Sequence, residues 1–136
     1  MSVADMVNIA SMIEKEAVNA DDMYQVSGVI ANRLNHSSEY PYLNIDATIQ
    51  YAVGHLELTD EDMKTDSPYN TYTSKGLPPG PICNPGLDAM KAAVSPAQHD
   101  YYYYVANADG SAHIYAKTQE EQTANIKKVQ AEKNAN

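Results

Sequence analysis

The chain has 136 residues, of which 43% are hydrophobic and 20% charged, so we expect residues 1–136 to form one globular domain. A net charge of −9 argues against nucleic acid or an anionic membrane surface as partner. A single cysteine, Cys83, provides neither a disulfide framework nor a cysteine-based zinc site. No apolar run approaches the ~18 residues of a membrane span.

Two helices joined by a short turn are predicted at the start of the chain. Apolar residues recur with the helical period over about residues 2–18, and Ser2 is the expected N-cap of this helix. Asp22, followed three residues later by Gln25, then predicts the capping box of a second helix. Gly28, inside that second helix, indicates the close approach of another backbone.

Glu14 lies on the apolar face of the first predicted helix. With Ala10 at zero and ~100° per residue, Glu14 falls at about +40°, inside the apolar stripe, while Glu16 falls on its outer side. A buried carboxylate is costly unless it is paired or used. Two interpretations remain open at this point. Glu14 is either a general acid with a pKa raised by desolvation, or a structural residue that pairs with Arg33 or caps another group.

The middle of the chain predicts a short helix and a long loop. Asp46 is a candidate N-cap for a helix over residues 47–53, and one more turn is expected over residues 59–64. Residues 65–85 read as loop, and their prolines and apolar side chains predict an ordered, site-forming segment. Asp46 could pair with Glu14 as a glycosidase carboxylate, although the cap role is sufficient to explain it.

Polar side chains cluster on this loop. They are Ser67, Asn70 and Thr71, with Tyr69 and Tyr72 beside them. Such groups can hydrogen-bond the hydroxyls and amides of a sugar while tyrosine rings stack on its faces. Equally, Ser67 and Asn70 can hold the loop to itself through local turns.

The last third of the chain predicts a helix, a β-hairpin and another helix. Asn84 is the expected N-cap of a helix that ends before Pro96. Strands are expected over residues 101–106 and 112–116, and a final helix after Thr118. The predicted fold class is therefore α+β: a helical hairpin and further helices packed with a small antiparallel hairpin, plus a long ordered loop. The four histidines show no metal-ligand spacing, so neither a metal nor a cofactor is expected.

Four pieces of the sequence resemble the YceG-like family of endolytic murein transglycosylases. They are Ile-Ala-Ser-Met-Ile-Glu-Lys-Glu at 9–16, Val-Ser-Gly-Val-Ile-Ala-Asn-Arg-Leu at 26–34, Asp-Ser-Pro-Tyr-Asn-Thr-Tyr at 66–72, and Gly-Leu-Pro-Pro-Gly-Pro-Ile-Cys-Asn-Pro-Gly at 76–86. The pieces occur in the family's order and span nearly the whole chain. Where the family usually shows Gln-Ser-Asp-Pro-Thr, this chain departs from it with Asn-Ile-Asp-Ala-Thr at 44–48.

The resemblance implies a lyase that cleaves the bond between N-acetylmuramic acid and N-acetylglucosamine inside glycan strands, leaving 1,6-anhydro ends. Glu14 matches the family's catalytic glutamate and would act first as acid and then as base. The candidate sugar contacts are Asp46, Thr48, Gln50, Ser67, Asn70, Thr71 and Tyr72. No metal or cofactor is implied. The alternative is a non-catalytic module that binds peptidoglycan or scaffolds cell-wall assembly.

The resemblance also implies a longer protein. It would carry a membrane anchor and an upstream domain, and it would act at the outer face of the cytoplasmic membrane of a bacterium. This chain is then its soluble catalytic part, with peptidoglycan glycan strands as its partner. Peptidoglycan synthases are further possible partners by analogy with the family.

Overall fold

A computed structural model describes residues 1–135 of the chain. The elements are α1 Val3–Glu16, α2 Ala20–Asn35, α3 Asp46–Val53, a 3-10 turn Asp62–Lys64, α4 Leu87–Val94, β1 Tyr103–Ala106, β2 His113–Ala116 and α5 Gln119–Ala135. Five helices and a two-stranded antiparallel sheet confirm the predicted α+β fold. None of these helices is both long and apolar enough to cross a membrane.

Helices α1, α2 and α4 contact one another and surround the apolar core. Ser2 caps α1 as predicted, because its hydroxyl accepts a hydrogen bond from the Asp5 N–H at 3.0 Å. Helix α1 ends at Glu16, two residues earlier than predicted, because Ala17 is extended, with φ −72° and ψ 147°. The early end makes Glu16 the last helical residue.

The predicted N-cap of α2 is wrong by three residues. Asn19 is the cap, and its side chain accepts a hydrogen bond from the Asp22 N–H at 2.8 Å. Asp22 itself lies in the first turn, where its carboxylate accepts from the Val18 N–H at 3.0 Å. The two residues thus form a capping arrangement placed earlier in the chain than the sequence pattern suggested.

Two further predicted caps are also wrong. Ile45 precedes α3 with an extended backbone, and Asp46 is the first helical residue. At α4 the cap is Gly86, not Asn84. In both cases the polar side chain lies close to the helix start, but the cap itself is a different residue, one position away at α3 and two positions away at α4.

Gly28 permits the close approach that its position in α2 predicted. A Cβ atom at this position would lie 2.6 Å from the Ala97 carbonyl oxygen and 2.4 Å from His99 Nε2. This contact sets the segment before β1 directly against α2.

The β-hairpin begins two residues later than predicted. The carbonyls of Tyr101 and Tyr102 accept hydrogen bonds from Asn32 and Arg33 of α2, so the backbone there is held by the helix. The ladder proper pairs Tyr104 with Tyr115 and Ala106 with His113. Alternation along the strands places Tyr104, His113 and Tyr115 on one face.

The long loop is ordered, as predicted, and hydrogen bonds fix it along its length. The Asn44 N–H donates to the Thr71 carbonyl at 3.1 Å, and the Gly76 N–H to the Pro41 carbonyl at 3.0 Å. Further on, the Ile82 N–H donates to the Ser11 hydroxyl of α1 at 3.0 Å. The loop is therefore attached to the helical core and to the segment that leads into α3.

Candidate active site

A cleft of about 480 Å³ opens beside the C-terminal end of α1. Helix α2, the start of α3, the β-hairpin and α5 form its walls. Its polar lining comprises Glu16, Arg33, Asn44, Asp46, Tyr72, Tyr102, Tyr103, Tyr104, His113, Gln119, Gln122, Gln130 and Lys133. This volume and the convergence of polar groups are typical of a small-molecule or substrate site.

Glu16 is a half-buried carboxyl group in this cleft. Burial raises its pKa to about 7; the hydrogen bond from Tyr104 works against that rise, and the charge of Asp46 adds to it. Its position at the negative end of α1 also disfavours the ionised form. Near neutral pH, Glu16 can therefore both give and take a proton.

Tyr104 of β1 holds one oxygen of this carboxyl group. Its hydroxyl donates to Glu16 Oε1 at 2.8 Å. Burial and the neighbouring carboxylate raise the pKa of Tyr104 well above its usual value, so the phenol stays protonated and remains a donor. Gln122 of α5 fixes the strand from the other side, since its amide donates to the Tyr104 carbonyl at 2.9 Å.

Asp46 and Tyr72 line the same cleft and contact each other. The Tyr72 hydroxyl donates to Asp46 Oδ1 at 2.6 Å. Burial, followed by the proximity of Asp46, raises the pKa of Tyr72 above its usual range. Asn44, just before α3, has a left-handed backbone with φ 55°, a conformation that asparagine tolerates better than most residues. Two of the predicted sugar contacts, Asp46 and Tyr72, therefore lie in the cleft.

Three other predicted contacts are buried behind Asp46 and Tyr72. Thr71 Oγ1 accepts from the Ile45 N–H at 2.8 Å and lies 2.9 Å from Thr48 Oγ1. The Asn70 amide donates to two loop carbonyls at 3.0 Å, and its oxygen accepts from the Tyr72 N–H at 2.9 Å. Because protein groups engage these atoms, Thr48, Asn70 and Thr71 serve to hold the loop and α3 in place.

Gln50 and Ser67 lie away from the cleft. The Gln50 amide donates to the Leu56 carbonyl at 3.0 Å, and its side chain borders a separate cavity of about 340 Å³ beside α3. Ser67 accepts from the Tyr69 N–H at 3.1 Å, which is a local turn. The structure does not bring either residue to Glu16.

Glu14 contacts the start of α4 and is not among the residues that line the cleft. Its Oε1 accepts a hydrogen bond from the Gly86 N–H at 2.6 Å. A Cβ atom on residue 86 would lie 2.9 Å from that oxygen, so glycine permits the contact. The expected alternative partner, Arg33, instead donates to the Tyr42 and Tyr102 carbonyls at 2.7 Å. Of the structural interpretations, the capping role is the one that the structure shows.

Sequence reasoning missed Glu16 although it lies two residues from the favoured glutamate. The helical wheel ranks positions around α1 by apolarity, and it placed Glu16 on the outer side of the apolar stripe. At the C-terminal end of α1 that side meets the hairpin. One signal was available, because the piece at 9–16 that resembles the family contains both glutamates.

The fold and this cleft together define an α+β domain whose cleft holds a carboxyl group with a raised pKa. A sequence model of the YceG-like family matches residues 1–128, so the chain belongs to the YceG-like family. Among residues 1–135, no group of three or more His, Cys, Asp or Glu side chains is arranged to hold a metal ion.

Curated relatives and a solved structure support this membership. The chain is similar to the endolytic murein transglycosylase of Bacillus subtilis (strain 168), with 37% identity over 98% of this chain and 37% of the relative. The protein of the same name from Streptococcus pneumoniae (strain ATCC BAA-255 / R6) is 35% identical over 93% of this chain and 24% of the relative.

The crystal structure of a YceG-like protein from Listeria monocytogenes superposes with a TM-score of 0.83 at 41% identity. The match covers 91% of this chain and 40% of that chain. The chain thus spans between about a quarter and two fifths of the length of these proteins.

Proposed function

We propose that this chain is the catalytic domain of an endolytic murein transglycosylase. It cleaves the bond between N-acetylmuramic acid and N-acetylglucosamine within peptidoglycan strands and leaves 1,6-anhydro ends. The observation that carries the proposal is the carboxyl group of Glu16, which faces a cleft and has a pKa raised to about 7. The names of the curated relatives support peptidoglycan as the substrate.

The hydrogen bond from Tyr104 suits the first half of this reaction. Because the Tyr104 hydroxyl engages Glu16 Oε1, the acid proton is left to Oε2. Glu16 gives that proton to the glycosidic oxygen as the bond from this oxygen to C1 of the muramic acid breaks. The electron pair of the broken bond stays with the leaving sugar, which departs with a free hydroxyl group, and C1 becomes electron-deficient.

The same carboxyl group completes the second half. The Glu16 carboxylate takes the proton from the C6 hydroxyl of the muramic acid, and that oxygen bonds to C1 to close the anhydro ring. Glu16 ends as it began, protonated, so no second carboxylate is required, in contrast to the hydrolytic pattern. A pKa near 7 suits a group that must act as both acid and base.

This proposal moves the catalytic acid from Glu14 to Glu16. Glu14 already accepts a hydrogen bond from the Gly86 N–H at the start of α4, and it does not line the cleft. Asp46 and Tyr72 remain the proposed sugar contacts, because both line the cleft. Thr48, Asn70 and Thr71 act through them, and we assign Gln50 and Ser67 no contact with the sugar at the cleavage point.

We further propose that the chain is one domain of a longer protein, anchored in the cytoplasmic membrane and active on its outer face beside peptidoglycan synthases. The greater length of the relatives supports the additional domains. The anchor, the location and the synthases come from the family resemblance alone.

The decisive experiment analyses the products of purified glycan strands by mass spectrometry. Wild-type chain is expected to give anhydro-muropeptides, Glu16→Gln to give none, and Glu14→Gln to keep the product. Reducing ends alone would indicate a hydrolase with Asp46 as the second carboxylate. An active Glu16→Gln with an inactive Glu14→Gln would return the acid to Glu14. Equal strand binding by all three proteins without any product would favour the non-catalytic module.

A further inference from the structure

A buried pair of ionisable side chains, Asp22 and His113, lies at the wall of the cleft, which His113 borders. His113 Nδ1 is 2.7 Å from Asp22 Oδ2, and the two side chains are only 7% and 8% exposed. Asp22 also accepts hydrogen bonds from the Val18 N–H and the Tyr115 hydroxyl. Burial alone would raise the pKa of Asp22, but the hydrogen bonds from His113, Tyr115 and Val18 outweigh burial and hold it below its usual range. Replacing a buried pair of this kind with apolar side chains is often neutral for stability, so its presence alone does not establish a stabilising role.

The pair is connected to Glu16 through a single side chain. His113 and Tyr104 project from the same face of the hairpin, and their rings meet edge to face with centroids 4.8 Å apart. The Tyr104 hydroxyl then donates to Glu16 Oε1 at 2.8 Å. A continuous set of contacts thus runs from α2 through both strands to the end of α1.

We propose that Asp22 and His113 are positioning residues that hold the Tyr104 ring so that its hydroxyl engages one oxygen of Glu16 and leaves the other for the proton. This inference rests on the proposed function, since the choice of oxygen matters only if Glu16 transfers protons. His113 borders the cleft, but its side chain is only 7% exposed and its Nδ1 is engaged by Asp22, so we assign it a role through Tyr104 and no hydrogen bond to the sugar. If the Tyr104 ring could rotate freely, its hydroxyl could donate to either oxygen of Glu16. It could then engage the oxygen that must carry the acid proton.

The pair also acts on Glu16 through space. The charged and titratable groups around Glu16 or lining its cleft come from several elements: Asp22 and Arg33 on α2, Asp46 on α3, Tyr72 on the loop, Tyr103, Tyr104 and His113 on the hairpin, and Lys133 on α5. After burial and the nearest contacts, positive charge on His113 lowers the pKa of Glu16 and Asp22 raises it. Removing the imidazole alone is therefore expected to raise the pKa of Glu16.

The kinetic test replaces His113 in two ways. His113→Asn keeps a donor near Asp22 but removes the ring, whereas His113→Phe keeps a ring against Tyr104 but removes the pair. Both are expected to lower kcat roughly 10- to 100-fold with little change in KM, because a small misplacement of a catalytic group is expensive. The fall of activity with rising pH should move to higher pH in both variants.

A double-variant comparison separates positioning from general damage to the fold. In a Tyr104→Phe background the loss on replacing His113 should nearly vanish, because the hydroxyl that it positions is already absent. The matched control is His55→Gln. Among residues 1–135, His55 forms the other His–Asp pair, 3.6 Å from Asp62 at an exposed site, and its loss should leave kcat and the pH profile unchanged.

A measurement independent of activity uses the carbon-13 carboxyl resonance of Glu16, assigned by its disappearance in Glu16→Gln. Its titration midpoint should rise in both His113 variants and stay at the wild-type value in His55→Gln. A wild-type chain that cleaves no glycan would refute the proposed function, while this midpoint would still decide the link between His113 and Glu16. An unchanged midpoint in whichever His113 variant folds, or an equal kinetic loss with and without the Tyr104 hydroxyl, would overturn the inference.

Discussion

Glu14 and Glu16 lie two residues apart on α1 and have different surroundings. At ~100° per residue their side chains leave the helix about 200° apart. Glu14 reaches the start of α4, where its Oε1 accepts a hydrogen bond from the Gly86 N–H. Glu16 reaches a cleft where burial favours the neutral acid and a phenol holds one oxygen.

The same difference in surroundings divides the residues that the sequence analysis grouped as sugar contacts. Asp46 and Tyr72 line the cleft with Glu16. Thr48 and Thr71 lie behind them and bond to each other and to the backbone. Residue type alone did not separate the two groups, because threonine and tyrosine hydroxyls can all bind sugar. The hydrogen-bond partners in the folded chain distinguish the buried threonines from the residues that line the cleft.

The largest expected difference is in the rate of glycan cleavage. Glu16→Gln should lower kcat by about 10²- to 10⁴-fold, the usual contribution of a general acid–base group. Glu14→Gln should remain close to wild type, since its carboxylate accepts a backbone hydrogen bond at α4 and does not line the cleft. Release of anhydro-muropeptides over time measures both rates. Similar losses in the two variants would break the distinction between the two glutamates.

The next largest effect concerns stability as a function of pH. The folded-state pKa of Glu16 is raised from 4.5 to about 7, so its contribution to stability is complete below pH 4.5 and is lost as pH rises through 7. Glu16→Gln should therefore raise the free energy of unfolding by on the order of 3 kcal/mol at pH 8 and change it little at pH 4.5. Urea unfolding of both proteins at the two pH values measures this. A constant difference between them would show that Glu16 does not titrate in this range.

Local pattern predicted the helices better than it predicted the site. The apolar period of α1 and the capping hydroxyl of Ser2 depend on neighbours within one or two turns, and both predictions hold in the structure. The environment of Glu16 depends on Tyr104, which is 88 positions later in the sequence. Such a contact leaves no local trace at either residue. The family resemblance pointed to residues 9–16 and matched the catalytic glutamate to Glu14, whereas the cleft favours Glu16 of the same segment.

Thr71→Val tests the structural side of the comparison. Valine keeps the shape of threonine but leaves the buried Ile45 N–H without its acceptor, which should cost roughly 2 kcal/mol of unfolding free energy. Thr73→Val is the control, since Thr73 is exposed and makes only a 3.4 Å hydrogen bond. Thermal or urea unfolding compares them. A stable Thr71→Val variant with strongly weakened glycan binding would place Thr71 among the sugar contacts instead.

The smallest effect is expected at Glu14. Glu14→Gln keeps an oxygen that can accept from the Gly86 N–H but removes the charge near the start of α4, so stability should fall by about 0.3–1 kcal/mol. The loss should shrink at high salt, because screening weakens the interaction with the helix dipole. Glu39→Gln, at an exposed position after α2, is the control and should change stability less. A salt-independent loss, or an equal loss at Glu39, would mean that the charge of Glu14 does not stabilise α4.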